Sequence, residues 1–240
     1  MRPADLITAW ERGLRRSPAG RAQALLEAAG VDRADGLALT VGQRDALLMD
    51  LRAELFGTRI SGVAGCPACA TVLELGFVLD DVRTVSPEPA PGPVEVTIEV
   101  DGYAVRARPP TGGDLVALEG AGPDRALRTL LTCCVVDAHH GGVTVGPDDL
   151  PPRVVSRLAG RLAAADPQAD VRLDLTCPAC ARTWSAAFDI VTFLWRELDS
   201  WARRLAQDVH TLATAYGWAE VDIIAMSRSR RGLYLELARR

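Results

Sequence analysis

The chain has 240 residues and a mass of 25.7 kDa, with 48% hydrophobic and 24% charged residues, enough to bury a core in one large domain or two small ones. Its formal net charge of −4 gives no global attraction to nucleic acid or anionic lipid. All 27 basic residues are arginine, which excludes a P-loop lysine, a Schiff-base lysine and a lysine general base.

No apolar run approaches the roughly 20 residues needed to cross a bilayer. The opening Met1-Arg2-Pro3-Ala4-Asp5 lacks the apolar stretch of a signal peptide, so a cytoplasmic protein is expected. In that compartment Cys-x-x-Cys pairs favour metal or redox chemistry over structural disulfides.

In chain order, the first 56 residues read as helices. Leu6, Trp10 and Leu14 recur at four-residue spacing. Ser17-Pro18 is an N-cap and first-turn pair, and Gly30 a stop. Thr40 and Gln43 form a capping box ahead of Leu47, Leu48, Leu51 and Leu55, with Gly57 ending the helix. Thr58 to Val82 reads as strand, Cys turn and strand, followed by a proline-rich connector from Ser86 to Pro93. The run from Val94 alternates, Asp101-Gly102 is a hairpin turn, and Tyr103 to Ala107 returns. Helices are expected near Asp114, from Asp124 to Asp137, and from Pro152 to Ala165. A second strand–turn–strand unit covers Val171 to Ile190. Leu194, Leu198, Trp201, Leu205, Val209, Leu212 and Tyr216 then mark a long amphipathic helix closed by Gly217. Two short helices should follow, near Ala219 to Met226 and Ser227 to Ala238.

The most informative feature is a duplication. Cys66-Pro67-Ala68-Cys69-Ala70 recurs 111 residues later as Cys177-Pro178-Ala179-Cys180-Ala181. The match continues in Leu73 with Trp184, Leu75 with Ala186, Phe77 with Phe188 and Leu79 with Ile190. Each copy is a Cys-x-x-Cys turn beside a strand with large residues at alternate positions. Four thiolates are the complement of a closed tetrahedral zinc site. The expectation is one structural Zn2+ per chain on Cys66, Cys69, Cys177 and Cys180. Iron in the same four-thiolate cage and a redox dithiol are the alternatives. A haem attachment is excluded, because Ala70 and Ala181 stand where a histidine is required. Zinc ribbons often carry glycine after the second cysteine, and alanine in both copies departs from that habit.

The fold expected is α+β: a small antiparallel zinc-ribbon-like β centre made by the two Cys-Pro-x-Cys knuckles, with helical N- and C-terminal regions. Its parts are an N-terminal helical region (1–57), a first knuckle half (58–82), a Pro-rich linker (83–93), a β-hairpin with helices (94–170), a second knuckle half (171–190) and a C-terminal helical region (191–240).

Other residues give weaker signals. Cys133 and Cys134 lie in an apolar stretch and read as packing. His139 and His140, beside Gly141-Gly142, read as a surface turn without a partner carboxylate, and His210 as a solvated helix residue. Gly120-Ala121-Gly122 before Pro123 reads as a loop. Asp80-Asp81 and Asp148-Asp149 read as element ends. No serine elbow, His-Glu-x-x-His motif or acid/base pair is present, so no enzymatic activity is expected. Ala215 to Ile224 followed by Arg228, Arg230 and Arg231 has a helix–turn–helix flavour, but Glu220 and Asp222 fall in the reading helix.

The C-terminal series Phe193-Leu194-Trp195-Arg196-Glu197-Leu198, Val209-His210 to Tyr216-Gly217-Trp218, Ile223-Ile224-Ala225-Met226-Ser227, Arg230-Arg231 and Tyr234-Leu235, taken with the duplicated cysteine turns, resembles proteins of phage-tail-like contractile injection clusters. These are similar to baseplate and baseplate-hub assembly proteins of T-even-type phages. The resemblance is strongest from Val171 onward and from Thr40 to Val82. It implies assembly or structural work in a tail baseplate and no enzymatic activity, so other baseplate and tail proteins are the expected partners, with no small-molecule substrate and no membrane, and nucleic acid is not the expected partner. A zinc-ribbon nucleic-acid-binding regulator is the alternative, and a thiol oxidoreductase a third.

Overall fold

The computed structural model describes residues 2–84 and 94–238; the connector expected over Ser86 to Pro93 lies outside them. The described chain mixes helices with small antiparallel sheets. In order it forms α1 (Pro3–Gly13), α2 (Pro18–Ala28), α3 (Arg33–Ala38), α4 (Val41–Phe56), β1 (Arg59–Gly65), β2 (Val72–Val78), β3 (Val96–Val100) and β4 (Tyr103–Ala107). There follow α5 (Gly112–Ala117), α6 (Pro123–Cys134), β5 (Val135–His140), β6 (Val143–Thr144), α7 (Pro152–Ala165), β7 (Arg172–Thr176), β8 (Thr183–Ala187), α8 (Ile190–Tyr216), α9 (Glu220–Ala225) and α10 (Arg228–Ala238). The chain divides into two compact units, one of Met1–Asp32 with Val191–Arg240 and one of Arg33–Ile190.

The first unit is helical. Its boundaries follow local chemistry: Ser17 accepts from the Gly20 N–H at the head of α2, and Gly217, at φ 66°, ends α8 in the left-handed backbone that glycine tolerates. Leu6, Leu25, Leu26, Leu194, Leu198, Leu205, Leu212 and Ile223 are buried, so the spacing seen in the sequence is a core stripe. Leu14, the third member of the N-terminal stripe, stays 42% exposed. Trp10 Nε1 donates to Asp199 Oδ1 at 2.9 Å, and the Arg21 guanidinium lies 4.8 Å from the Trp195 ring centroid. Gly13 admits that ring, since a Cβ there would overlap it.

The second unit holds all the strands. Among the described residues three antiparallel sheets form: β1-β2, β3-β4-β5-β6 and β7-β8. Asp101 (φ 51°) and Gly102 (φ 80°) make the turn between β3 and β4, a pair of left-handed residues that matches strand twist. The alternation read from the sequence buries Val96, Ile98, Val105 and Ala107 with Ala138 from β5 and Val154 and Leu158 from α7.

Two expectations need correction here. The helix expected to run to Asp137 ends at Cys134, and His139 and His140 lie on a strand, with Gly141-Gly142 alone forming the turn. Val135 and Val136 are β-branched and suit a strand, and β5 completes the sheet by pairing Ala107 with Val135 and Val105 with Ala138. The β content is thus larger than the two knuckles and one hairpin.

At the head of α4 the predicted capping box is present, with Thr40 Oγ1 accepting from the Gln43 N–H at 3.3 Å and Gln43 Oε1 from the Thr40 N–H at 3.0 Å. A second, distant cap joins it. Asp166 Oδ2 accepts from the Gly42 N–H at 2.9 Å across 124 residues, satisfying another orphan donor of the first turn. Gly42 leaves room for that carboxylate, which a Cβ would overlap.

Candidate metal centre

Each Cys-Pro-Ala-Cys turn is built by the same hydrogen bonds. The Ala70 N–H donates to the Cys66 carbonyl at 2.9 Å, and the Cys66 N–H to the Thr71 carbonyl at 2.9 Å. In the second copy Ala181 donates to Cys177 and Cys177 to Arg182, again at 2.9 Å. The residue after the second cysteine reverses the chain in left-handed backbone, Ala70 at φ 58° and Ala181 at φ 57°. This is the geometry for which glycine is preferred at that place.

β1-β2 carries one turn and β7-β8 the other. The turns bring all four sulfurs within 4.8 Å of one another. Cys66 Sγ lies 3.7 Å from Cys180 Sγ, and Cys69 Sγ 3.6 Å from Cys177 Sγ. First cysteine meets second cysteine in both pairs, as a two-fold exchange of the copies requires. Phe77 and Phe188, equivalent in the duplication, touch each other edge to face at 5.4 Å. In a tetrahedron with metal–sulfur bonds of about 2.3 Å, neighbouring sulfurs are about 3.8 Å apart. The four cysteines are therefore close enough to bind one metal ion, and none of the chain's cysteines is in a disulfide.

Burial is split evenly across the site: Cys66 and Cys177 are buried, Cys69 and Cys180 exposed. The Cys69 thiol is lowered to about 6, first by the Thr71 hydroxyl, then by the Thr71 backbone and the thiols of Cys180 and Cys177. Thr71 Oγ1 is 3.2 Å from Cys69 Sγ. Cys180 moves the other way. The Arg182 backbone draws it down, but hydrogen bonding to Cys69, burial and the remaining two thiols push it up to about 12. Once Cys69 ionises, the neighbouring thiol holds its proton as a donor to it. Nothing in the sequence signals Thr71, because its counterpart in the second copy is Arg182.

The other candidates lie outside this cluster. Cys134 is 4% exposed, and burial, then Asp114, pushes its thiol up to about 11. Cys133 is raised for the same two reasons. Asp114 is itself held below the usual carboxylate range: burial opposes this, but Arg108, bonded at 2.6 Å, and Thr111 outweigh it. Both cysteines are thus protonated packing residues. His140 stacks on Tyr103 at 4.1 Å, His139 Nδ1 lies 3.4 Å from Thr144 Oγ1, and His210 is exposed. Among the described residues only the four knuckle cysteines form a group able to hold a metal. Gly120, at φ 76°, lies in a loop, and Pro123 opens α6 at its first position.

No helix among the described residues is long and apolar enough to cross a membrane. No protein-family model, curated protein or solved structure matches this chain.

Proposed function

We propose that Cys66, Cys69, Cys177 and Cys180 hold one structural Zn2+ in a zinc-ribbon-like centre, and that the protein is a non-enzymatic component or assembly factor of a contractile phage-tail-like particle, working in the cytoplasm through protein–protein contacts. The observation that carries the metal reading is the pair of sulfur contacts at 3.6 and 3.7 Å between two turns far apart in sequence. Four protein thiolates leave no coordination position for water or substrate, which suits a structural ion. A bound ion would tie together turns separated by 107 residues, a closure worth about 4–5 kcal/mol.

The particle reading rests on the resemblance of the C-terminal series, and the surface of the helical unit supports it. Leu14, Val221, Leu233 and Leu237 are exposed apolar residues there, the kind of surface that partner proteins cover. For the nucleic-acid alternative the arginines count unfavourably. Arg231 is 8% exposed and paired with Asp208 at 3.1 Å, and Arg230 lies over Tyr234.

Elemental analysis tests the metal: one zinc per chain is expected, lost with Cys177→Ser. Zinc in stoichiometric amount in that variant, or none in the native protein, refutes the centre. Gradient sedimentation with tail-like particles tests the role. Co-migration that Leu233→Glu with Leu237→Glu abolishes is expected, whereas a salt-sensitive shift of duplex DNA with no particle association favours the regulator.

A further inference from the structure

The two knuckle hairpins frame a groove that the metal reading does not use. Its cavity of about 450 Å³ is lined by Leu75, Gly76 and Phe77 of β2, by the segment from Asp81 to Thr84 that follows it, and by the run from Asp170 to Leu175 containing most of β7. Consecutive residues on both walls mark strand edges, since a sheet face would present alternate residues. Among the described residues β2 pairs only with β1, and β7 only with β8.

The ladder shows which backbone groups these edges offer. The bonds from Cys66 N–H to Thr71 and from Leu79 N–H to Thr58 place the odd-numbered residues of β2 in the pairs bonded to β1. Gly76 then directs its N–H and carbonyl away from β1. By the same alternation, the bonds from Cys177 N–H to Arg182 and Phe188 N–H to Val171 leave Arg172 and Asp174 directed away from β8. Between the edges lie the half-buried side chains of Leu75, Phe77, Leu173 and Leu175. Gly76 has nothing within 4 Å of where its Cβ would stand and no positive φ, so this chain's own packing does not require glycine there. A glycine in a strand interior is found where another backbone approaches closely.

We propose that this groove binds an extended peptide segment of a partner protein by strand addition, with apolar side chains at alternate positions and a basic residue beside Asp174. The charge around the groove selects that residue. Arg172 is already paired with Asp170 at 3.1 Å and Arg83 with Asp50 at 2.6 Å, and Asp81 accepts from the Val78 N–H at 3.0 Å, while Asp174 is exposed and has no ion-pair partner among the described residues. Main-chain hydrogen bonds supply the affinity in this mode and alternate side-chain pockets the specificity. The inference needs the two hairpins held in place, and is independent of which particle the protein serves.

The test uses the metal-loaded full chain and a fluorescein-labelled peptide of about six residues, the length of an ordinary strand, alternating valine and arginine. Saturable binding is expected by anisotropy. It should be lost when the peptide is N-methylated at alternate residues. Gly76→Pro, which removes an outward N–H and no bond to β1, should weaken binding about fivefold, the worth of one hydrogen bond. Asp174→Arg should weaken it about threefold. Metal content and far-UV circular dichroism report whether each variant is folded; if Gly76→Pro is not, Asp174→Arg and the methylated peptide decide. Absence of saturable binding, equal binding of the methylated peptide, or unchanged binding by the folded variants overturns the proposal. So does sedimentation showing a dimer that Gly76→Pro dissolves, which makes a second copy the occupant.

Discussion

Ala70 and Ala181 occupy left-handed backbone at φ 58° and 57°, where an L-residue's Cβ crowds the following carbonyl at a cost of about 1–2 kcal/mol. The chain bears that strain twice, once in each turn that presents a pair of sulfurs. Ala70→Gly and Ala181→Gly should each raise stability by about 1 kcal/mol in denaturant unfolding of the metal-loaded protein. Unchanged or lowered midpoints would show that the strain is relieved elsewhere. Asp45 gives a different test at this scale. Burial pushes its carboxyl up to about 6; Arg44 draws it down, and Asp189 and Asp166 push it further up. Between about pH 4 and 6 the folded state therefore holds a proton that the unfolded chain has released. Stability from this group falls as pH rises through that window and is level above it. Relative to Asp45→Asn, the native protein should lose at most about 3 kcal/mol between pH 4 and 7. Parallel unfolding curves for the two proteins across that range would refute this.

At the scale of elements, the helix α4 takes a cap from far away. The capping box of Thr40 and Gln43 is a local pattern and was legible in the sequence, as were both ends of α7, the C-terminal end of α8 and the existence of both knuckle hairpins, whereas the second hairpin's strand ends at Ala187 and Ile190 opens α8. Asp166 was not, because nothing local relates it to Gly42, 124 residues distant. Asp166→Asn should cost about 1 kcal/mol and Gly42→Ala more, since its Cβ overlaps the carboxylate. Thermal unfolding ranks the two, and a reversed order would show that the helix head moves away. The boundary between α6 and β5 was missed for a related reason. Leu130 to Val136 is apolar except for Thr132, a run that suits a helix and a strand alike. What decides is the pairing of β5 with β4, a tertiary fact. The sulfur cluster, by contrast, could be anticipated, because two copies of a two-sulfur donor pattern make up the four donors of one site, which single elements cannot indicate.

For the whole molecule, an ion held by the four cysteines would close a loop through most of the second unit. On the proposed metal centre, removing that ion should therefore destabilise more than the turns themselves. A chelator is expected to lower the unfolding midpoint by roughly 10 °C or more, from a loss of about 4–5 kcal/mol. It should act more readily at acid pH, where protons compete for the thiolates. A midpoint indifferent to chelator would mean that the turns meet without help.

The first unit is discontinuous: its opening 32 residues and its last 50 are separated by the whole of the second. On the ribosome, at roughly 5–20 residues per second, α1 and α2 wait roughly 8–30 s while the 158 residues from Arg33 to Ile190 are made. During that interval Trp10 lacks Asp199, and Gly13 and Arg21 lack Trp195, their neighbours on α8. The inserted unit can mature first, and a nascent chain arrested once β8 has left the ribosome, with α8 still in the exit tunnel, should already protect it from protease while leaving α1 and α2 open to cleavage.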